Sequence, residues 1–147
     1  MQLRCERLHD LASPDVDELV ADSEQAGLRL VRRLVDEWAD GSNRFDRPGE
    51  ALFGAWVDGR LVGVCGLNVD PYAGDARVGR VRHLYVLDAS RRGGVARALM
   101  AEVLGAAGGR FETLRLSTSN PAAARLYESL GFRRADGPHC THARALG

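Results

Sequence analysis

Between Ser90 and Met100 the chain reads SRRGGVARALM, two arginines and two glycines set directly before a helix-forming run. A glycine inside a helix or strand costs roughly 0.5–1 kcal/mol relative to alanine, so a pair of them points to a close approach of the backbone to something. A strand that passes through a glycine turn into a helix leaves the first helical N–H groups unpaired, with about half a positive charge of helix dipole behind them. That is an anion site. Gly93 and Gly94 admit a phosphate to the amides, and Arg91 and Arg92 supply charge-assisted hydrogen bonds. The same stretch also reads as a glycine-permitted loop with solvated arginines. Neither GxxxxGKS/T nor GxGxxG is present, which sets aside two familiar phosphate loops.

The elements around this stretch follow from local chemistry. Ser13 as N-cap, Pro14 at the first helical position and acids in the first turn start a helix. Gly27 divides the segment into two helices, the second with Val31, Leu34, Val35 and Trp38 on one face. A polar loop, GSNRFDRPGE, precedes two apolar β-prone runs, ALFGAWV and RLVGVCGLNV, joined by Asp58-Gly59 as a hairpin. ARVGRVRHLYVLD alternates in part and predicts a third strand, which feeds the glycine turn and a helix with Val95, Leu99 and Val103 on one face. TLRLSTS predicts a strand, NPAAARLYESLGF a short helix ending at Gly131, and CTHARAL a last strand. The order is two helices, three strands, helix, strand, helix, strand, a mixed α/β (α+β) domain.

Composition narrows the function classes. The chain has 147 residues, the size of one domain, and its 20 basic and 20 acidic residues cancel. No global field recruits nucleic acid or an anionic membrane, so any anion site must be local. Every basic residue except histidine is arginine. Cys5, Cys65 and Cys140 are odd in number and far apart, which argues against a disulfide framework or a zinc cage. His139, Cys140 and His142 make a poor metal set, since strand positions 139 and 142 face opposite sides. No apolar leader and no run of about 18 apolar residues is present, so a soluble, cytoplasmic protein is expected.

RRGGVA fits the Arg/Gln-x-x-Gly-x-Gly/Ala signature of the GNAT superfamily of acetyl-CoA-dependent N-acetyltransferases, with Arg91, Gly94 and Ala96 at the defining positions. VRHLYVLDASRRGGVARALM resembles that family's strand, pyrophosphate loop and helix, and STSNPAAARLYESLGF is similar to its second characteristic segment. The likeness covers roughly residues 50 to 133 well and the N-terminal helices loosely. It implies a central, mostly antiparallel, twisted sheet, splayed after the fourth strand and flanked by helices. It implies acetyl-CoA as co-substrate and no metal. The backbone amides of Arg92, Gly93, Gly94, Val95, Ala96 and Arg97 would hold the coenzyme pyrophosphate. Backbone groups of Leu84, Tyr85 and Val86 would pair with the pantetheine arm as an added strand. Asn120 reads as an N-cap followed by Pro121, and the resemblance adds a polar contact to the coenzyme. Tyr127 shares a helix face with Ala123 and Leu130 and reads as packing by spacing alone. The resemblance makes it the catalytic acid, a phenol that gives its proton to the departing thiolate.

The general base stays open. Many family members carry Glu where Arg80 stands in GRVRHLYV, and a cation cannot take up the amine proton. His83 is one candidate, although alternation sets it opposite Arg80. His139, His142, Glu50, Asp46 and a water chain are others. Arg44, Phe45 and Arg47 fall where the family builds its acceptor pocket, or form an ordinary solvated loop. If Arg80 points into that pocket, an acceptor with a carboxylate becomes attractive. The expected reaction is acetyl transfer to a primary amine, most simply of a small molecule, with homodimers common in the family. A non-catalytic acyl-CoA-binding module and an acetyltransferase acting on a protein N-terminus or aminoacyl-tRNA are the alternatives.

Overall fold

A computed structural model describes residues 2–11 and 14–147; Ser13, the expected N-cap, lies outside the described residues. The chain forms β1 (Leu3–Arg7), α1 (Asp17–Gln25), α2 (Leu30–Asp40), β2 (Ala51–Val57), β3 (Arg60–Val69), β4 (Val78–Val86), α3 (Val95–Ala107), β5 (Thr113–Leu116), α4 (Pro121–Ser129), β6 (Arg133–Gly137) and β7 (Cys140–Ala145). Among the described residues the strands make one seven-stranded sheet in the order β1-β2-β3-β4-β5-β7-β6. β4 and β5 run parallel, and the other neighbours are antiparallel.

The local signals act as the sequence predicts. Asp58 and Gly59 both adopt positive φ, 51° and 81°, the backbone of a two-residue hairpin whose twist suits β2 and β3. Gly27 (φ 77°) separates α1 from α2. Two strands were not expected, β1 and β6. LRCER and RRADG carry mostly charge and too few apolar residues to show a strand period, because each lies at an outer edge of the sheet, where one side meets water and charge blunts further pairing.

β3 is buried at eight successive positions, Leu61–Asn68. Side chains alternate between faces along a strand, so both faces of the sheet are covered here. α3 packs through Val95, Leu99, Met100 and Val103 across β1 to β4, and the α1–α2 pair packs through Leu19, Val31 and Leu34 on β3 and β4. Phe45, read from sequence as an acceptor-pocket residue or part of a solvated loop, packs in the core, 3% exposed and edge-on to His83. It fills space that Gly66 leaves: a Cβ at Gly66 would stand 2.5 Å from the Phe45 ring.

β4 meets β5 over three residue pairs only, Val78 with Thr113, Gly79 with Leu114 and Arg80 with Arg115. Beyond Arg80 the two strands part. Gly79 sits in that short junction, where a Cβ would come within 2.8 Å of Leu114 and 2.9 Å of Phe111. Gly79→Ala is therefore expected to overpack the junction and destabilise the fold by about 1–3 kcal/mol, read as a lower urea midpoint with an unchanged slope.

Candidate active site

The parting of β4 and β5 opens a cavity of about 720 Å³. One wall is the edge of β4 from Arg80 to Val86, and the other runs from Leu116 through Ser119 into α4, with Asn120, Ala123 and Tyr127. Arg91, Arg92 and Ala96 close one end; Tyr72 and Arg80 stand toward the junction. From Val81 onward β4 has hydrogen-bonded register with β3 but none with β5. An unpaired backbone edge inside a fold must find donors and acceptors elsewhere.

The turn after β4 leads into α3. Val95 opens α3 after Gly94, whose left-handed φ of 79° ends the turn, and no side chain caps the helix. Arg92 is also left-handed (φ 72°), a conformation that lets successive amides converge on one point. The Arg91 side chain turns back instead, its Nε donating to the Val86 carbonyl at 3.2 Å and its Nη1 pairing with Asp88 at 3.3 Å. It also lies over the Tyr85 ring at 5.4 Å. Arg97 donates to the Ser129 hydroxyl at 3.1 Å, tying the start of α3 to α4.

On the opposite wall Asn120 caps α4, its Oδ1 accepting from the amides of Ala122 (2.9 Å) and Ala123 (3.3 Å). Tyr127 is buried, edge-on to Phe132, and borders the cavity. Burial, with the Cys65 thiol beside it, pushes its hydroxyl well above the ordinary phenol value. Tyr127 thus keeps its proton at neutral pH. Tyr85 donates to Asp22 at 2.5 Å, and burial with that bond pushes it up to about 12. Burial likewise raises the Cys65 thiol to about 12, which leaves it no nucleophile.

These features match a known family pattern. The sequence profile of the acetyltransferase (GNAT) family matches residues 13–132. The chain belongs to the GNAT acetyltransferase family. A crystal structure from Exiguobacterium sp. 255-15, provisionally described as an acetyltransferase, is 30% identical, with a TM-score of 0.88 over 99% of this chain and 94% of that one. An N-acetyltransferase from Staphylococcus aureus Mu50 shares the fold over 100% of both chains at 16% identity and a TM-score of 0.76. An uncharacterised protein of Mycobacterium leprae (strain TN) is 31% identical over 84% of this chain, which spans only 39% of that protein.

Within the GNAT site the base candidates separate. Glu50 is buried with its oxygens accepting from the amides of Arg47 (3.2 Å) and Val69 (2.9 Å), and it borders a smaller recess with Asp46, Arg44 and Arg47. His142 is held between Thr141 (2.9 Å) and Glu128 (2.8 Å) and joins β7 to α4. His139 is not on a strand but in the turn after β6, stacked on Tyr72 with ring centroids 3.9 Å apart. His83 alone of the five candidate side chains borders the cavity, together with Arg80, because a bulge in β4 between Arg82 and Tyr85 breaks the alternation that would oppose them. Among the described residues no cluster of three or more His, Cys, Asp or Glu could hold a metal ion. Tyr72 and Asp70 went unread in the sequence, although DPYAGD after an apolar strand is turn chemistry that places side chains at a sheet end.

The His83 ring has one settled tautomer. Its Nδ1 stands 3.0 Å from the Leu30 carbonyl, which can only accept, so Nδ1 carries the proton and Nε2 the lone pair. Nε2 is buried without a partner. Burial first, then the Arg82 charge, lowers His83 from 6.5 to about 4. Above pH 6.5 the ring is neutral folded or unfolded; between 6.5 and 4 the unfolded chain binds a proton that the native ring refuses, so stability falls as pH falls. At about 1.4 kcal/mol per pKa unit the full loss is on the order of 3 kcal/mol. His83→Asn, which tolerates the left-handed φ of 59° at this position, is expected to flatten the decline in urea midpoint between pH 6.5 and 4.5; an unchanged decline would show that His83 does not titrate this way.

Proposed function

We propose that this domain transfers an acetyl group from acetyl-CoA to a primary amine of a small molecule, by direct attack in a ternary complex. One observation carries the reading: the edge of β4 that β5 leaves unpaired, the N-terminal turn of α3, which has no side-chain cap, and Tyr127 border a single cavity. The amides from Arg92 to Arg97 and the helix dipole suit the coenzyme pyrophosphate, with Gly94 leaving open space for it. The backbone of Leu84 to Val86, which has no strand partner on the β5 side, suits the two amides of a pantetheine arm laid alongside as a further strand, with Arg91 giving up the Val86 carbonyl.

The thioester would then lie near Tyr127. The amine attacks the thioester carbonyl, a C–N bond forms, and the C–S bond breaks as the tetrahedral intermediate collapses. Tyr127 gives its proton to the sulfur as the C–S bond breaks, so that the coenzyme leaves as the thiol, and the phenolate takes a proton back from water. The amine's own proton goes to water, because His83 Nε2, although without a partner among the described residues, is buried and weakly basic. Among the described residues no carboxylate lines the cavity, which is the feature that favours a non-catalytic acyl-CoA-binding module as the second reading.

Calorimetric titration with acetyl-CoA and release of free thiol separate these readings. Gly94→Glu is expected to abolish binding, since its side chain enters open space and carries a negative charge to the phosphate site, while the left-handed φ of 79° costs about 1–2 kcal/mol of stability, checked by the urea midpoint. Tyr127→Phe is expected to bind acetyl-CoA almost normally and to lose about a hundredfold or more in turnover. Binding without turnover of any amine would support the module; unchanged turnover in Tyr127→Phe would remove it as the acid.

A further inference from the structure

The charge of the cavity is one-sided. Among the described residues Arg33, Arg80, Arg82, Arg91 and Arg92 border it and no Asp or Glu does, in a chain whose 20 acids equal its 20 arginines. Arg91 and Arg92 stand at the α3 end, where a coenzyme phosphate would neutralise them. Arg80 does not. It lies six residues back along β4 from Val86, roughly 20 Å at 3.3 Å per residue, at the junction with β5.

Arg80 is a built group rather than a surface charge. Its side chain is 10% exposed, and its Nη1 donates to Asp70 Oδ2 at 3.2 Å. Asp70 is fully buried, its Oδ1 taken by the amides of Tyr72 (2.7 Å) and Ala73 (3.0 Å), and Oδ2 also faces Arg115 at 3.7 Å. Two guanidiniums thus share one carboxylate. A guanidinium cannot shed its proton, so one positive charge stays uncompensated beside the cavity. The Arg80 guanidinium lies over the Tyr72 ring at 5.0 Å, and Tyr72 stacks on His139 with 9° between the rings. A guanidinium set on a flat aromatic wall, with one of its five N–H donors spent on Asp70, is suited to take a planar carboxylate on its remaining fork.

We infer that the acceptor is an amine that also carries a carboxylate, held by Arg80 where β4 and β5 meet. The inference rests on the acetyl-transfer reading and names its substrate class. A single guanidinium fork on an aromatic face matches a flat two-oxygen group better than a tetrahedral phosphate, which asks for donors from several directions.

The test is thiol release from acetyl-CoA with matched acceptors: the common amino acids and β-alanine, each against its carboxamide, and phosphoethanolamine. The wild-type protein is expected to favour the acid of at least one pair by about tenfold to a hundredfold in kcat/KM. Arg80→Lys, which keeps the charge and loses the fork, is expected to narrow that ratio at least tenfold, mostly through KM for the acceptor. Tyr72→Ala, at a half-exposed position, is expected to narrow it as well, which covers the case of an Arg80 variant that does not fold. Equal rates for every acid and its amide, preference for phosphoethanolamine, or no acetylation of any acid by a protein that binds acetyl-CoA would each overturn the inference while leaving coenzyme binding intact. Absence of acetyl-CoA binding would defeat the acetyl-transfer reading, and this inference with it.

Discussion

A strand in the middle of this sheet keeps three residue pairs with its neighbour and then goes without. Backbone N–H and C=O groups inside a protein are rarely left unpaired, so the edge of β4 beyond Arg80 is a demand the fold creates and cannot meet by itself. The rest of the molecule is arranged around that demand. β5 and α4 form the far wall, α3 begins where β4 ends, and α1 and α2 cover the sheet behind it, with Asp22 taking the Tyr85 hydroxyl. Water can satisfy the edge in the free protein. An extended chain with its own amides can do so with less solvent, which is why the GNAT membership and the geometry lead to one reading.

The junction that ends the pairing is as constrained as the opening is bare. Gly79 admits Leu114 and Phe111 against the strand, and Asp70 draws Arg80 and Arg115 together across it. Arg115 also reaches the Pro138 carbonyl at 3.4 Å, so the same charge group holds the β6–β7 turn. Opposite charges here set geometry first; their net contribution to stability is reduced by the cost of taking three ions out of water.

The parts legible in the sequence are those whose signal is local. The hairpin at Asp58-Gly59, the glycine turn before Val95 and the Asn120-Pro121 helix start each depend on residues within a few positions, and each stands where the pattern placed it. The two strands that escaped, β1 and β6, lie at the sheet's outer edges, where charge replaces alternation. Of the cavity, the α3 end was legible because it is backbone and turn, and the end at the β4–β5 junction was obscure. His83 sits left-handed in a bulge without glycine to announce it, and the Tyr72–His139 stack joins two loops that only the closed sheet brings together. Phe45 misled because a single aromatic in a polar loop gives no period.

The short β4–β5 junction also has a mechanical meaning. It is a clasp at one end of two plates, β1 to β4 on one side and β5, β7 and β6 on the other. From that clasp to the end of β4 is a lever of roughly 20 Å, so a tilt of about 5° moves the mouth by ~2 Å. The width available to a chain between the plates is therefore set by the side chains packed at the pivot rather than by those it touches.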